Sequence, residues 1–293
     1  MLSELSNQIA DVAESVAGSV LQVQGHRQPA SGLAYAPDLV LTTARVVGRE
    51  EHPSVRRTDG QTFKADLIGI DPASRIALLK VANLEARPLS PGALPRAGAL
   101  GIAVARSWSN AVTVTAGLVS VIGGPLATGH RRSIEQVIRT SAPMHEGFAG
   151  GAFAGAGGEL LGVTTAASIR GLHVVIPAAI AWSAAADLLR RGPLKRGYLG
   201  IAAQPVRVSE RQRNAAGAAE ALLVVAVKEG TAAAEAGLLV GDLLLSLDDH
   251  PLASPEDLLD LLVGDRVGRP IVVRVLRGDV LTNVTVSVRE RQA

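Results

Sequence analysis

With 293 residues, 47% of them hydrophobic, the chain has a globular composition and the length for one large domain or two medium ones. Its 29 basic and 27 acidic residues give a formal charge of +2, which leaves no general electrostatic footprint for nucleic acid. The absence of cysteine excludes disulfides, thiol chemistry and Cys-ligated zinc, and no segment reaches the roughly 18 uninterrupted apolar residues of a membrane span.

In chain order, Leu5, Ile9, Val12 and Val16 recur at helical spacing, with Ser3 as N-cap and Gly18 as stop, so a short amphipathic helix is expected over residues 1–18. The start Met1-Leu2-Ser3-Glu4 has no basic stretch followed by an apolar run, from which a cytoplasmic location is expected. From Ser19 onward the pattern changes to short apolar runs punctuated by Gly, Pro, Asp and Ser. Strands are expected at Val20–Val23, Gly32–Tyr35, Leu39–Thr42, Ala65–Ile70, Ile76–Val81, Ile102–Ala105, Val112–Ile122, Ile134–Thr140, Gly151–Ala154, Leu160–Thr165 and Leu172–Val175. Such a density of short strands predicts an all-β sandwich or barrel pair. With aromatics at 2%, its cores are built from Val, Leu, Ile and Ala. Pro177–Arg191 then reads as a helix, with Ile180, Ala184, Leu188 and Leu189 on one face. The resulting division is a first domain over 19–191, a linker over 192–196 and a last domain over 197–290.

Three segments carry chemistry. They are Leu41-Thr42-Thr43-Ala44-Arg45-Val46-Val47, Asp71-Pro72-Ala73-Ser74-Arg75-Ile76-Ala77-Leu78-Leu79-Lys80 and Gly147-Phe148-Ala149-Gly150-Gly151-Ala152. Together they resemble the HtrA/Deg family of trypsin-like serine proteases with a PDZ domain, where they read LTNAHVV, DPxxDLAVLK and GNSGGA. The resemblance implies a mainly β fold, a trypsin-like double β-barrel followed by a PDZ domain, and it puts Arg45, Arg75 and Ala149 at the triad positions. A guanidinium stays protonated and offers donors only, and alanine has no nucleophile, so base, orienter and nucleophile are all replaced. On this reading the chain is a pseudoprotease and not an enzyme. Two guanidinium groups about 4 Å apart repel by roughly 4 kcal/mol at an effective dielectric of 20, so they must splay into water or share an anion, for which Glu146 is a candidate.

Further residues follow from the same resemblance. The amides of Gly147 and Ala149 would form a remnant oxyanion hole, while Phe148, His145 and His173 stand where the family has smaller or different residues and suggest a plugged cleft. His145 with Ser141 or Thr140 is the nearby arrangement that could relocate catalysis. His26, His52, His130 and His250 are scattered with no metal-ligand spacing, so neither metal nor cofactor is expected. Gly155-Ala156-Gly157-Gly158 reads as a hairpin turn. The pairs Arg131-Arg132 and Arg190-Arg191 read as solvated faces.

Residues 197–290 resemble a PDZ domain throughout. Gly197-Tyr198-Leu199-Gly200-Ile201 matches the entry to its carboxylate-binding loop. Ala232-Ala233-Ala234-Glu235-Ala236-Gly237-Leu238 with Gly241-Asp242-Leu243-Leu244 matches its SPAxxAGLxxGDxI element, Ser254–Leu259 the groove helix, and Ile271–Gly278 a closing strand. The implied peptide-binding residues are Leu199, Gly200, Ile201, Leu258 and Leu261, with Leu262 competing for the helix register. The expected function is protein binding: a scaffold, adaptor or subunit of a larger hetero-complex that takes partner C-termini. A divergent endopeptidase with residual activity and a holdase chaperone are the alternatives. The family uses N-terminal aromatic contacts in a homotrimer, and the chain has no aromatic residue before Tyr35.

Overall fold

The computed structural model describes residues 2–25, 28–48, 53–129, 132–191, 197–262 and 266–290. The chain forms two compact units, Met1–Pro193 and Leu194–Ala293. The expected linker 192–196 and His26, His52, His130 and Arg131 lie outside the described residues.

Unit 1 opens with helix α1 (Leu2–Ala17), which starts two residues earlier than a Ser3 cap would set it. Its buried stripe is Val12, Ala13, Val16 and Ala17, whereas Leu5 is exposed, so only the second half of the helix packs on the unit. Arg106 fixes the end of α1: Nη2 donates to the Ala17 carbonyl and Nε to the Val20 carbonyl. The Ala17 carbonyl is one that a helix terminus leaves without an intrahelical donor, and the Val20 carbonyl belongs to the strand that follows. Burial lowers the Arg106 pKa from its ordinary value.

Next come β1 (Val20–Gln24), β2 (Ala30–Ala36), β3 (Leu39–Thr43), the single turn α2 (Ala44–Val47), β4 (Ser54–Arg56), β5 (Thr62–Lys64), β6 (Asp66–Ile70) and β7 (Ile76–Lys80). They form a seven-stranded antiparallel sheet in the order β5-β4-β1-β2-β3-β7-β6. A closed barrel of six strands follows, from β8 (Leu100–Ser107), β9 (Ala111–Gly123), the ribbon β10 (Leu126–Gly129) and β11 (Arg132–Ile134), β12 (Val137–Thr140), β13 (Ala152–Gly155), β14 (Leu160–Ile169) and β15 (Leu172–Pro177). Its order is β12-β15-β14-β13-β8-β9, with β10 and β11 paired outside it.

The single strand expected over Ile134–Thr140 is therefore two. Its partner changes from β10 to β9 and β15 at Glu135–Gln136, where Gly124 approaches so closely that a Cβ would overlap the Glu135 carbonyl. Helix α3 (Ala178–Arg191) buries Ala178, Ala181, Ala184, Ala185 and Leu188. Leu189, placed on that face by spacing, is instead exposed.

Unit 2 comprises β16 (Gly197–Tyr198), β17 (Ile201–Arg207), α4 (Glu210–Ala216), β18 (Glu220–Val227), α5 (Ala232–Glu235), β19 (Leu243–Leu247), β20 (His250–Pro251), α6 (Pro255–Leu261), β21 (Pro270–Arg277), β22 (Val280–Ser287) and β23 (Arg289–Glu290). Its main sheet runs β17-β18-β19-β21-β22, with β20 paired to β19. Thus β17 is an edge. Helix α6 begins with Pro255 after a full capping box: the Asp257 amide donates to Ser254 Oγ, and the Ser254 amide donates to Asp257 Oδ2.

One ion pair ties this sheet to the preceding turn. Asp242 is 1% exposed and accepts from Arg277 Nε and Nη2, each at 2.8 Å, and from the Leu239 amide at 2.9 Å. Burial opposes the Asp242 charge, but the Arg277 hydrogen bonds and the Leu239 amide outweigh it, so the carboxyl sits below its ordinary value. A lowered folded-state pKa adds stability above the unfolded value, and that stability is lost as pH falls through the folded value. Replacing Asp242 with Ala is expected to destabilise unit 2 by about 2 kcal/mol in urea unfolding at pH 7. The variant's deficit should shrink as the titration is repeated from about pH 4 downward, across the carboxylate range.

Candidate functional site

The fold of unit 1 brings the three chemistry-bearing segments together. The Ala44 amide donates to the Arg75 carbonyl at 2.8 Å, which sets the start of α2 against the 71–75 turn. Arg45 reaches across to the segment between β12 and β13, where Nε and Nη2 donate to Glu146 Oε2 and Oε1 at 2.7 and 2.6 Å. Glu146 opens the 3-10 turn Glu146–Phe148, which is followed by Ala149. The bidentate pair gives Arg45 the carboxylate considered for it, Glu146, and both partners remain solvent-exposed. Arg75 is also exposed and sits in the left-handed region at φ 60°.

Backbone amides of the turn are already engaged. The Gly147 amide donates to His145 Nδ1 at 3.0 Å, the Phe148 amide to the His145 carbonyl at 3.0 Å, and the Ala149 amide to the Glu146 carbonyl at 3.1 Å. An oxyanion hole needs donors aimed at an external oxygen. In this conformation the two amides proposed for it, Gly147 and Ala149, point to partners within the turn. Ala149 is 1% exposed and packs with the core of the first sheet. Phe148 does not fill the cleft; it packs in the core of the closed barrel with Val119, Ile138, Phe153 and Val175. His173, expected at the pocket border, accepts the Met144 amide on Nε2 at 3.2 Å.

The residues considered for relocated catalysis are held separately. Ser141 Oγ accepts the Leu118 amide, Thr140 Oγ1 donates to the Leu118 carbonyl, and His145 Nδ1 caps the turn. Among the described residues no group of His, Asp and Glu is placed to hold a metal ion.

The turn is seated by a buried polar cluster that sequence reading did not find. Ser31 Oγ donates to the Gly147 carbonyl and accepts the Arg106 amide, the Ser31 amide donates to the Ala149 carbonyl, and Thr42 Oγ1 donates to the Ser31 carbonyl. Thr164 Oγ1 bonds the Phe148 carbonyl. Gly150, at φ 85°, lies so near that a Cβ would overlap the Ser31 carbonyl, which only glycine tolerates at that φ.

Trp108 was also unforeseen. It is 65% exposed and sits at φ 42° in the turn between β8 and β9. A left-handed conformation for so bulky a residue costs about 1–3 kcal/mol and persists only where the surroundings impose it. The chain has only two tryptophans, and one flanked by Ser107, Ser109 and Asn110 was the available signal for a displayed ring.

In unit 2, Gly200 takes φ 86°, and a Cβ there would overlap the Thr231 side chain. The loop is held by the Lys228 amide on the Gly200 carbonyl at 2.8 Å and the Ala233 amide on the Leu199 carbonyl at 2.9 Å. Edge strand β17 continues from it, with α6 packed alongside. Leu199, Leu258, Leu261 and Leu262 are all buried in one core cluster, and Ile201 and Ala203 lie half-buried against it. The leucines are therefore core residues beneath β17 and α6 rather than exposed surface. A cavity of about 1070 Å³ lies beside Tyr198, Lys228, Thr231, Val288 and Arg289, and neither Ile201 nor Leu258 lines it.

Similarity to known proteins covers both units. A trypsin-like peptidase domain matches residues 30–163 and a PDZ domain residues 197–288. The chain is 28% identical over 267 residues to serine endoprotease DegS of Escherichia coli, covering 87% of this chain and 74% of that one. It is 30% identical over 247 residues to the periplasmic pH-dependent serine endoprotease DegQ of Escherichia coli, covering 81% and 54%. Among solved structures, the serine endoprotease from Yersinia pestis shares 27% identity at a TM-score of 0.53, covering 97% of this chain and 98% of that one. The HtrA-type protease AlgW with tripeptide shares 25% at a TM-score of 0.56, with the same coverage.

Two expectations are corrected by these similarities. The relatives are named serine endoproteases, which overturns the reading of the chain as no enzyme. A cytoplasmic location is likewise contradicted by relatives named as periplasmic enzymes. No helix among the described residues is long and apolar enough to cross a membrane.

Substitutions in the turn should separate its buried seat from its exposed ion pair. Gly150→Ala is expected to destabilise unit 1 by about 3 kcal/mol. Glu146→Gln should change it by less than about 1 kcal/mol, because its pair with Arg45 is solvated. Thermal unfolding of both variants beside the parent chain checks the contrast.

Proposed function

Because the chain joins an HtrA/Deg-family trypsin-like domain to a PDZ domain, we propose that it is a divergent member of that endopeptidase group which recognises free carboxy-terminal ends of protein chains through unit 2. The observation that carries this reading is the pairing of a left-handed Gly200 loop with edge strand β17. A peptide added to that edge gains main-chain hydrogen bonds along β17, and its terminal carboxylate meets the amides of the Leu199-Gly200-Ile201 loop. Its last side chain would pack beside Leu199, Leu258 and Leu261, which lie in the core cluster under β17 and α6.

For the protease unit, we assign Arg45, Arg75 and Ala149 to the positions of the family's triad. Those side chains supply neither a proton acceptor nor a nucleophile, so cleavage by this chain must draw on other groups. A second reading is that the bound chain is retained as part of a larger assembly; it is favoured by the internal engagement of the Gly147 and Ala149 amides.

Fluorescence anisotropy with an apolar-ended decapeptide tests the groove. The free-acid peptide should bind, its C-terminal amide should bind at least tenfold more weakly, and Gly200→Val should lose the free-acid binding while unit 1 keeps its unfolding transition. Equal affinity for acid and amide contradicts carboxylate recognition. Casein turnover above a buffer control, falling in His145→Ala, supports the endopeptidase part; absence of turnover contradicts it.

A further inference from the structure

We propose that Pro205 ends the pairing edge of unit 2, so that the backbone of a bound chain is recognised only as far as the fourth residue from its carboxy terminus. This limit belongs to the carboxy-terminal recognition proposed for β17 and depends on it.

Hydrogen bonds on the covered side of β17 decide which of its backbone groups face the open edge. The Val224 amide donates to the Asp242 carbonyl at 2.9 Å and the Val224 carbonyl accepts the Gly241 amide at 2.9 Å, so Val224 of β18 turns away from β17. Leu222, two residues back, turns the same way, because backbone groups alternate along an antiparallel strand. Leu222 stands opposite Pro205. The two therefore exchange no hydrogen bonds, and the Pro205 ring nitrogen faces the open edge. Both ends of the strand agree: the Val208 amide donates to the Ala219 carbonyl at 2.9 Å, and the Gly200 carbonyl accepts the Lys228 amide at 2.8 Å. Even-numbered residues thus turn toward β18, whereas Ile201, Ala203, Pro205 and Arg207 turn outward. The register shift between Ala202 and Ala203 puts its additional residue, Val225, in β18 and leaves the alternation of β17 unbroken.

At this position proline costs the fold no ladder bond, since the N–H it lacks would have pointed outward. A ligand does lose one. An added antiparallel chain exchanges a pair of hydrogen bonds with every second residue of the edge. With its carboxylate at the Leu199-Gly200-Ile201 loop, its last residue lies opposite Ile201, the third from last opposite Ala203 and the fifth from last opposite Pro205. There the donor is missing, and the ring Cδ stands where the donor hydrogen would be. Pairing stops before Arg207 is reached. The exposed ring also guards the outer half of β17 against other strands, which reserves the edge for short free ends.

Calorimetry on the full chain with N-acetylated free-acid peptides tests the limit. The tripeptide Ala-Ala-Val and a decapeptide of Ala, Ser and Thr ending in the same three residues should bind within twofold of each other. N-methylation of the decapeptide at the third residue from the end should weaken binding at least tenfold, and at the fifth by less than twofold. Pro205→Val restores the donor: with an unchanged melting temperature, its affinity for the decapeptide should rise about fivefold, as one main-chain hydrogen bond allows, and that for the tripeptide should not change. A decapeptide at least fivefold tighter than the tripeptide on the parent chain, an equal loss from methylation at the fifth residue, or no gain in a folded Pro205→Val overturns the limit and leaves carboxylate recognition standing. Failure of both free acids to bind overturns carboxylate recognition and the limit with it.

Discussion

Gly150 presses its backbone against the Ser31 carbonyl, and this close approach decides where the protease unit's functional segments stand. A side chain at 150 would push the Glu146–Ala149 turn away from β2, and with it the Ser31 contacts to the Gly147 and Ala149 carbonyls. The same Ser31 hydroxyl accepts the Arg106 amide. Arg106 binds the end of α1 and one end of the Trp108 turn. Helix, turn and indole are therefore positioned from a single crowded point between the seven-stranded sheet and the closed barrel, where buried polar groups must satisfy one another.

Unit 2 separates stability from recognition. Its stability draws on apolar packing beneath β17 and on the buried Asp242 pair at the far side of the sheet order, where β21 meets β19. Recognition is left to the edge that β18 does not cover and to a loop whose glycine permits close approach. An edge strand is a liability unless covered or used, and the proposed function gives β17 such a use.

Much of this is legible in the sequence. The barrel strands follow from apolar runs between turn residues, and α6 from Ser254, Pro255 and Asp257 in capping order. The failures share a cause: spacing reports which residues recur, not which face a neighbour covers. Leu5 and Leu189 have helical spacing yet face solvent, because alanines make the close contacts of α3 and only the second half of α1 reaches the unit. The Ser31, Thr42 and Thr164 cluster joins residues far apart in the chain, and no local pattern announces it. At the site, motif order located Arg45, Arg75 and Ala149, but it did not reveal that Gly147 and Ala149 would direct their amides inward. Reading inactivity from three side chains outran them, since the chain's relatives are endoproteases.

The proposed function has unit 2 take hold of carboxy-terminal peptides by backbone pairing at β17, and the Leu199-Gly200-Ile201 loop is the point on which that proposal depends. Amide hydrogen exchange of the full chain, followed residue by residue, tests it most directly. Addition of a free-acid peptide should slow exchange along residues 199–205, while its C-terminal amide leaves that segment unchanged. Protection that is absent from this segment, or the same with acid and amide, would contradict carboxy-terminal recognition at β17.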